Sequence, residues 1–227
     1  MGILESLARS LAQSKSGIYT VRRKYQSDQV SAVYGRAFLS ETEESLKKVS
    51  DEVVVCTKCR LCETRTKAVP GEGSSAARVI FVGEAPGEQE DLQGRPFVGA
   101  AGKLLTELLA SVGLRRGDVF ITNIVKCRPP KNRPPRKDET YACKPYLERQ
   151  VSMIGPHVIC PMGNSAIHSL LDSEKSVTEL HGIPLEIGKV TYFPMYHPAA
   201  ALYTAQLRKV LEEDFKKLRA LLDSQAL

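Results

Sequence analysis

From Arg78 onward, short apolar runs alternate with segments of helical periodicity, and this alternation constrains the fold more than any other feature. The runs are rich in β-branched or aromatic residues: 79-VIFV-82, 119-VFIT-122, 158-VICPM-162 and 190-VTYFPM-195. Helical patterns lie between and after them, near 100–112, 138–153, 163–171 and 204–222. This order predicts an α/β fold with three layers (αβα), in which helices cover both faces of a central, mainly parallel sheet of about four strands.

Two further patterns complete the predicted organisation. The run 183-IPLEI-187 precedes the last strand and is joined to it by Gly188 and Lys189, which predicts a hairpin. Residues 1–50 are polar, and they predict a helix near 2–14 and another from about 41 to 54, with Ser40 and Glu43 as a capping box. We therefore predict a helical extension over 1–50 and one α/β domain over 51–227.

The sequence carries no signal for secretion or membrane insertion. No apolar run approaches the roughly 20 residues that a spanning helix needs, and the N-terminus lacks the continuous apolar region of a signal peptide. We expect a cytoplasmic protein that does not enter a membrane.

Polar or glycine-containing residues follow each of the four main strands. In open α/β sheets the ligand binds at the carboxyl ends of the strands. The residues at those ends are 83–87, Asn123, 163–165 and His197 with Pro198. Their convergence predicts a single binding site at one edge of the sheet.

Six cysteines without a secretion signal indicate metal or cluster ligation rather than disulfide bonds. Cys56, Cys59 and Cys62 form C-x2-C-x2-C, whereas Cys127 and Cys143 are widely separated. Four thiolates could close one zinc or iron–sulfur site, and the loose second pair suits a larger cluster at least as well. Cys62 is either a spare thiol or an alternative ligand, and Cys160, inside an apolar run, is expected to be a small buried residue.

Charge is unevenly distributed in a chain whose net charge is +6 and whose pI is about 9.0. The segment 126-KCRPPKNRPPRK-137 has six Lys/Arg residues and no carboxylate, whereas 83-GEAPGEQED-91 has four carboxylates. A basic segment indicates either a polyanionic partner or a solvated loop.

Four motifs in order make the chain resemble the family 4 uracil-DNA glycosylases of bacteria and archaea. They are 83-GEAPGEQED-91, 95-RPFVG-99, 122-TNIVKCRPP-130 and 194-PMYHPA-199, and the resemblance spans roughly 54–222. It implies a monofunctional enzyme that hydrolyses the N-glycosidic bond of uracil flipped out of DNA, starts base excision repair and needs no free divalent metal. It also implies a structural 4Fe-4S cluster on Cys56, Cys59, Cys127 and Cys143, with Cys62 and Cys160 outside the ligand set.

The resemblance also implies a uracil pocket made of Phe97, Asn123, His197 and the Glu84-Ala85 turn. Phe97 would stack on the base, Asn123 would read its N3–H and O4, and His197 would donate to O2 as the base leaves. A carboxylate would orient water or stabilise positive charge on the sugar, and we expect this from Glu84 rather than from Glu90. Without the resemblance, these side chains are ordinary core, turn and loop residues.

Contacts with single- or double-stranded DNA are expected from a larger set of residues. It comprises Lys126, Arg128, Lys131, Arg133, Arg136, Lys137 and the turns at 83–87 and 163–165, the latter including Ser165. In 199-AAALYTAQ-206, Leu202 or Tyr203 is either a wedge into the base stack or part of an apolar turn. We expect a monomer, with residues 1–50 either covering apolar surface or binding a replication or repair protein.

Three other functions are consistent with parts of the sequence. A cysteine-ligated electron carrier or zinc module would need no Phe-Asn-His pocket. A uracil-capturing relative that stays covalently attached to DNA has a basic, histidine-containing insertion, which the short 91-DLQGRPFVG-99 lacks. A glycosylase for another damaged base is the third, and Phe97 and Asn123 favour uracil over it.

Overall fold

The structure is a computed structural model that describes residues 27–225, with side chains described from Ser40 onward. The helix predicted near 2–14 lies outside the described residues. The described part contains these helices: α1 (Ser27–Val54), α2 (Glu88–Gln93), α3 (Ala100–Ser111), α4 (Lys137–Ile154), α5 (Asn164–Leu171), α6 (Val177–Leu180), α7 (Pro198–Ala201) and α8 (Ala205–Ser224). Short 3-10 turns lie at Arg60–Glu63, Arg116–Asp118 and Pro130–Asn132.

The central sheet has six strands rather than about four. They are β1 (Glu72–Gly73), β2 (Val79–Gly83), β3 (Phe120–Asn123), β4 (Val158–Pro161), β5 (Leu185–Ile187) and β6 (Val190–Tyr192), in the order β1-β3-β2-β4-β6-β5. The four inner strands are parallel, as predicted, and the hairpin of β5 and β6 is confirmed. The strand missed by the sequence is β1, which has two residues, one a glycine, and pairs antiparallel with β3.

Both faces of the sheet are covered, which confirms the three-layer arrangement. In β2, Val79 and Phe81 belong to one core and Ile80 and Val82 to the other, because successive side chains point to opposite faces. Helices α3 and α8 fill the first core, where the ring of Phe81 stacks on that of Phe215 with centroids 5.7 Å apart. Helices α4 and α5 fill the second.

Helix α1 begins earlier than the sequence predicted. It is continuous from Ser27 to Val54, so Ser40 lies inside it and the predicted capping box with Glu43 is wrong. Its C-terminal part packs beside the cysteines through the buried Val49 and Val53. The predicted boundary at residue 50 therefore falls inside a helix, as the predicted helix over 41–54 implied. No helix in the described range is long and apolar enough to cross a membrane.

Candidate active site and cysteine cavity

A cavity of about 590 Å³ opens at the carboxyl ends of the parallel strands. The segments predicted to converge all contribute to its wall, because parallel strands end at the same edge of the sheet. The lining residues are Glu84, Ala85, Pro86, Gly87, Glu90, Phe97, Ala101, Asn123, Pro129, Asn132, Arg133, Met162, Gly163, Asn164, Ser165, His197 and Ala199. The structure thus brings together every residue predicted for the uracil pocket.

The carboxylates of 83-GEAPGEQED-91 each join the turn to a different segment. Glu84 accepts a hydrogen bond from the hydroxyl of Ser165, and Glu88 lies 3.6 Å from Arg128. Asp91 is buried and accepts twice from the backbone N–H of Thr66, at 2.9 and 3.0 Å. Asp91 is therefore neither solvated nor a cap of the following helix, because its partner belongs to a distant segment.

Glu90 has both carboxylate oxygens occupied by the backbone. One oxygen accepts from the N–H of Gly87 at 3.1 Å, and the other accepts from the N–H groups of Val98 and Gly99, both at 2.8 Å. Since these groups belong to two separate loops, Glu90 holds the first turn against the loop that carries Phe97. Glu84 faces the cavity, and within the described residues its carboxylate accepts a hydrogen bond from Ser165 alone.

Phe97 is held in a backbone conformation that is uncommon for a bulky side chain. Its φ is 51°, in the left-handed region, which costs of order 1–3 kcal/mol. Gly102 makes this loop possible, because a Cβ there would lie 1.8 Å from the carbonyl oxygen of Phe97. The ring is buried and faces the imidazole of His197, with centroids 5.4 Å apart and planes tilted by 31°.

Asn123, at the end of β3, presents an unused hydrogen-bond acceptor. Its side-chain oxygen Oδ1 is buried and has no hydrogen-bond partner within the described residues. A buried polar atom left in this state is destabilising unless a ligand or water satisfies it. Gly83, on the neighbouring strand, leaves space here, because a Cβ would lie 2.4 Å from Asn123 Oδ1 and 2.6 Å from Phe97 Cζ. The site is therefore shaped for a flat ligand that donates a hydrogen bond.

His197 lies in the cavity wall as a neutral donor. Its Nδ1 accepts a hydrogen bond from the backbone N–H of Ala199 at 3.1 Å, so the neutral ring carries its hydrogen on Nε2. Burial lowers the pKa of the imidazole to about 4, although the charge of Glu90 opposes that shift. An uncharged N–H donor is therefore present at neutral pH.

The basic segment is less uniform than its sequence suggests. Lys126 is 1% exposed, and its Nζ donates to the side chain of Thr122, to Asn123 O at 2.9 Å and to Gln150 Oε1 at 2.8 Å. The prediction that Lys126 contacts DNA is wrong, because this network and its burial keep the amine from any phosphate. Burial also lowers the pKa of Lys126 to about 8.

The other cations of this segment differ in their partners. Arg133 makes a paired contact with the buried Glu139, with N–O distances of 2.8 and 2.6 Å. Arg128 donates to Asn132 Oδ1 at 2.8 Å. The remaining residues predicted to bind DNA are exposed: Lys131, Arg136, Lys137, Leu202 and Tyr203. Tyr203 is 93% exposed, and Leu202, beside it between α7 and α8, is 38% exposed.

Two residues of this region were missed by the sequence reasoning. Asn132 lines the cavity with a positive φ of 55°, and Arg116 donates to the backbone beside Phe97. Asn132 could have been identified from the sequence, because it lies in a turn of the basic segment between prolines. Arg116 had no signal, because its partners are distant in sequence.

The second cavity collects cysteines, all of which are free thiols. Cys56, Cys59, Cys62, Cys127 and Cys143 line it together with apolar residues of α1 and α4, whereas Cys160 is buried in β4 as predicted. Within the described range, no three His, Cys, Asp or Glu side chains form a group that could hold a metal ion.

Two N–H groups donate hydrogen bonds to cysteine sulfur atoms in this cavity. Arg65 Nη1 donates to Cys127 Sγ at 3.1 Å and to Cys56 O at 2.9 Å, while the backbone N–H of Lys126 donates to Cys143 Sγ at 3.2 Å. Burial raises the pKa of Cys143 to about 11, although Lys126 opposes the shift. A coordinating cation deprotonates thiols outright, so the cavity thiols are chemically suited to ligate a larger cluster, although in the described residues they are not grouped around a single metal-ion position.

Comparison with known proteins identifies relatives of the chain. Residues 70–221 match the model of the uracil DNA glycosylase superfamily. The chain is 51% identical over 187 residues to a type-4 uracil-DNA glycosylase of Sulfurisphaera tokodaii, an alignment that covers 78% of this chain and 85% of the relative. It is 50% identical over 193 residues to that of Saccharolobus solfataricus, covering 80% and 88%. A type-4 enzyme of Archaeoglobus fulgidus is 51% identical over 183 residues, covering 77% and 92%.

These matches extend well beyond the four motifs, and they confirm the resemblance found in the sequence. The chain belongs to the type-4 uracil-DNA glycosylases, within the uracil DNA glycosylase superfamily.

Proposed function

We propose that the chain is a monofunctional uracil-DNA glycosylase that hydrolyses the N-glycosidic bond of a flipped uracil and so starts base excision repair. The observation that carries this proposal is the unsatisfied Oδ1 of Asn123, buried in a cavity between a phenylalanine and a neutral histidine. Its relatives are uracil-DNA glycosylases, and the substrate class follows from them.

Base recognition is assigned to Asn123 and Phe97. The Asn123 amide accepts from uracil N3–H through Oδ1 and donates to O4 through its NH₂ group. Cytosine has no N3–H and carries an amino group at C4, so it leaves the buried oxygen unpaired and opposes one donor with another. Phe97 stacks on the ring, while Ala85 and the tight turn at 83–87 let the backbone approach the nucleotide.

Bond cleavage is assigned to His197 and Glu84. As the bond breaks, negative charge develops on uracil O2, and Nε2–H of His197 donates to it. Glu84, oriented by Ser165, faces the sugar and stabilises its positive charge or orients the attacking water. Glu90 is assigned a supporting role, because three backbone N–H groups occupy its carboxylate.

The cofactor proposed is a 4Fe-4S cluster on Cys56, Cys59, Cys127 and Cys143. Four thiols on one cavity, with N–H donors directed at two of the sulfurs, support it. When bound, the cluster supplies a rigid cross-link and no bond-breaking chemistry. It ties the end of α1, the loop after β3 and α4 together, and so orders the basic segment.

DNA is the proposed partner, gripped through phosphate contacts that carry no sequence information. The exposed Lys131, Arg136 and Lys137 support this role. Arg133 and Ser165 line the cavity and already have protein partners, and Arg128 donates to Asn132, which also lines it. Leu202 or Tyr203 is the proposed wedge. Single- or double-stranded substrate, a monomeric state, a cytoplasmic location and a protein partner for residues 1–50 stay predictions.

The decisive test is excision of uracil from a labelled DNA strand with a single uracil, in excess EDTA, followed by alkali. We expect strand breaks at the uracil with repeated turnover. Asn123→Ala and His197→Ala should each lower kcat/KM by about 100-fold or more, whereas His168→Ala, which changes an exposed histidine of α5, should not. Folded, iron-loaded protein that leaves no alkali-sensitive site would overturn the proposal and favour another lesion or an electron carrier.

A further inference from the structure

A partly buried arginine, Arg116, lies behind the loop that carries Phe97 and contacts the backbone of that loop. Arg116 Nη1 donates to Phe97 O at 3.0 Å, and Nη2 donates to Pro96 O at 2.7 Å. The planar guanidinium thus donates through two nitrogen atoms to two consecutive backbone carbonyls, a geometry that lysine cannot reproduce. Its side chain is 20% exposed, so most of it is shielded from water.

Glu72 of strand β1 fixes the guanidinium from the other side. Its carboxylate pairs with Arg116 through Nη2 at 2.5 Å and Nε at 3.2 Å. Glu72 also pairs with Arg95 at 2.8 Å, but the Arg95 side chain is 60% exposed. Burial raises the pKa of Glu72, yet hydrogen bonds from Arg95 and Arg116 outweigh it and lower the pKa overall, so the carboxylate is charged at neutral pH.

The segment held in this way is the strained one. Phe97 has a φ of 51°, and without restraint its backbone would relax to a commoner conformation and move the ring. The loop is fixed on one side by Arg116 and on the other by Glu90, which binds the N–H groups of Val98 and Gly99. Both restraints act on the backbone, so the ring position depends on them.

We infer that Arg116, backed by Glu72, is a positioning residue that holds the Phe97 ring ready to stack on the base. The inference rests on the proposed function of Phe97. Stacking acts on the bound base before and during cleavage, so its loss weakens both states alike and raises KM while kcat changes little.

The experiment measures KM and kcat on the single-uracil strand for wild type, Arg116→Gln, Phe97→Ala and the double variant. We expect Arg116→Gln to raise KM about tenfold, equivalent to about 1.4 kcal/mol, with kcat within about threefold of wild type. In the Phe97→Ala background the same change should raise KM less than about twofold, because Arg116 acts through the ring. Arg116→Lys should not rescue KM.

Arg95→Gln is the matched control. It also removes an ion pair with Glu72, but within the described structure the Arg95 side chain makes no hydrogen bond to the Phe97 carbonyl. Its KM should equal that of wild type. If Arg116→Gln does not fold, Glu72→Gln provides the test, with a smaller KM increase that also disappears without Phe97. If Arg116→Gln and Phe97→Ala raise KM additively, or if Arg116→Gln leaves KM unchanged, the inference about Arg116 is overturned, while the proposed stacking by Phe97 stands. An unchanged KM in Phe97→Ala overturns both it and the proposed stacking.

Discussion

At the scale of single residues, the candidate site depends on the side chains of Asn123 and His197. Asn123 Oδ1 is buried without a partner in the described structure, and His197 is kept neutral by burial. Both features favour a neutral, planar ligand that donates to the asparagine and accepts from the histidine. A charged imidazole or a satisfied amide would recognise a different ligand.

The pH dependence of catalysis follows from His197. Its pKa of about 4 lies below the ordinary 6.5, so the ring stays neutral from neutral pH down to nearly pH 4. We expect His197 to produce no inflection of kcat near pH 6.5. The measurement is the kcat profile of wild type and His197→Gln, with His168→Gln as control. A loss of activity below pH 6.5 that His197→Gln abolishes would contradict the assignment.

The same shift has a consequence for stability. Because the pKa of His197 is lower in the folded chain, the unfolded chain binds more protons below about pH 6.5. The free energy of unfolding should therefore decrease as pH falls from about 6.5 towards 4, and less so in His197→Gln. Urea unfolding at several pH values measures this, and equal slopes in both proteins would contradict it.

Gly83 tests the shape of the pocket. A Cβ at Gly83 would lie 2.4 Å from Asn123 Oδ1 and 2.6 Å from Phe97 Cζ, so both side chains proposed to contact the base would have to move. We expect Gly83→Ala to lower kcat/KM by about 100-fold, or about 2.7 kcal/mol. Gly117→Ala is the control, because in the described structure a Cβ placed there meets no heavy atom within 4 Å beyond its chain neighbours. Similar activity in the two variants would show that the pocket is not where we place it.

At the scale of elements, the turn after β2 acts as a junction. Its carboxylates reach α5 through Ser165, the Phe97 loop through two backbone amides, and the segment before β1 through Thr66. The carboxylates of 83-GEAPGEQED-91 accept hydrogen bonds from groups of separate segments, which gives this acidic sequence a structural role. Most of this negative charge is therefore compensated by contacts within the protein.

Glu90→Gln tests this junction. A neutral amide cannot accept three backbone hydrogen bonds with charge-assisted strength, and hydrogen bonds to charged groups contribute about 1.5–3 kcal/mol. We expect the free energy of unfolding to fall by about 2 kcal/mol and KM to rise as the Phe97 loop loosens. Glu88→Gln, at a carboxylate 63% exposed, should change neither. Equal denaturation midpoints for Glu90→Gln and wild type would refute this role.

At the scale of the whole molecule, two sites share one loop. The chain from Asn123 to Cys127 runs from the pocket to the cysteine cavity, and the buried Lys126 contacts both through Asn123 O and Cys143 Sγ. Val53 of helix α1 lines the cysteine cavity, and an exposed ion pair between Glu52 and Arg149 joins α1 to α4. The order of the pocket should therefore depend on what the cysteines bind.

Removal of one proposed ligand tests that dependence. We expect Cys143→Ala to lower iron from about four atoms per chain to below about one and to lower the melting temperature. Cys160→Ala, at a cysteine that is also buried but lies in β4 outside the cysteine cavity, should retain its iron. Cys62→Ala should also retain it. Full iron content in Cys143→Ala, measured by a colorimetric iron assay, would exclude Cys143 from the ligand set.

Much of this protein was determined by local sequence. Alternating apolar runs specified the parallel strands, and the glycines, Asn123 and His197 at their ends specified where the site would form, because strand ends converge in any parallel sheet. Motif order was sufficient to predict the family. The sequence was also sufficient to predict Cys160 as a core residue, since it lies inside a continuous apolar run.

Tertiary structure alone decided which charges face solvent and which are buried. Lys126 looks like its basic neighbours in sequence, yet it is buried because the loop after β3 turns its side chain towards Thr122 and Gln150. Asp91 and Arg116 find partners far along the chain, and no local pattern encodes those pairs. The strand β1 forms only because β3 offers it an edge. Local periodicity determines secondary structure, whereas long-range packing determines which polar groups are satisfied by the protein and which remain free for a ligand.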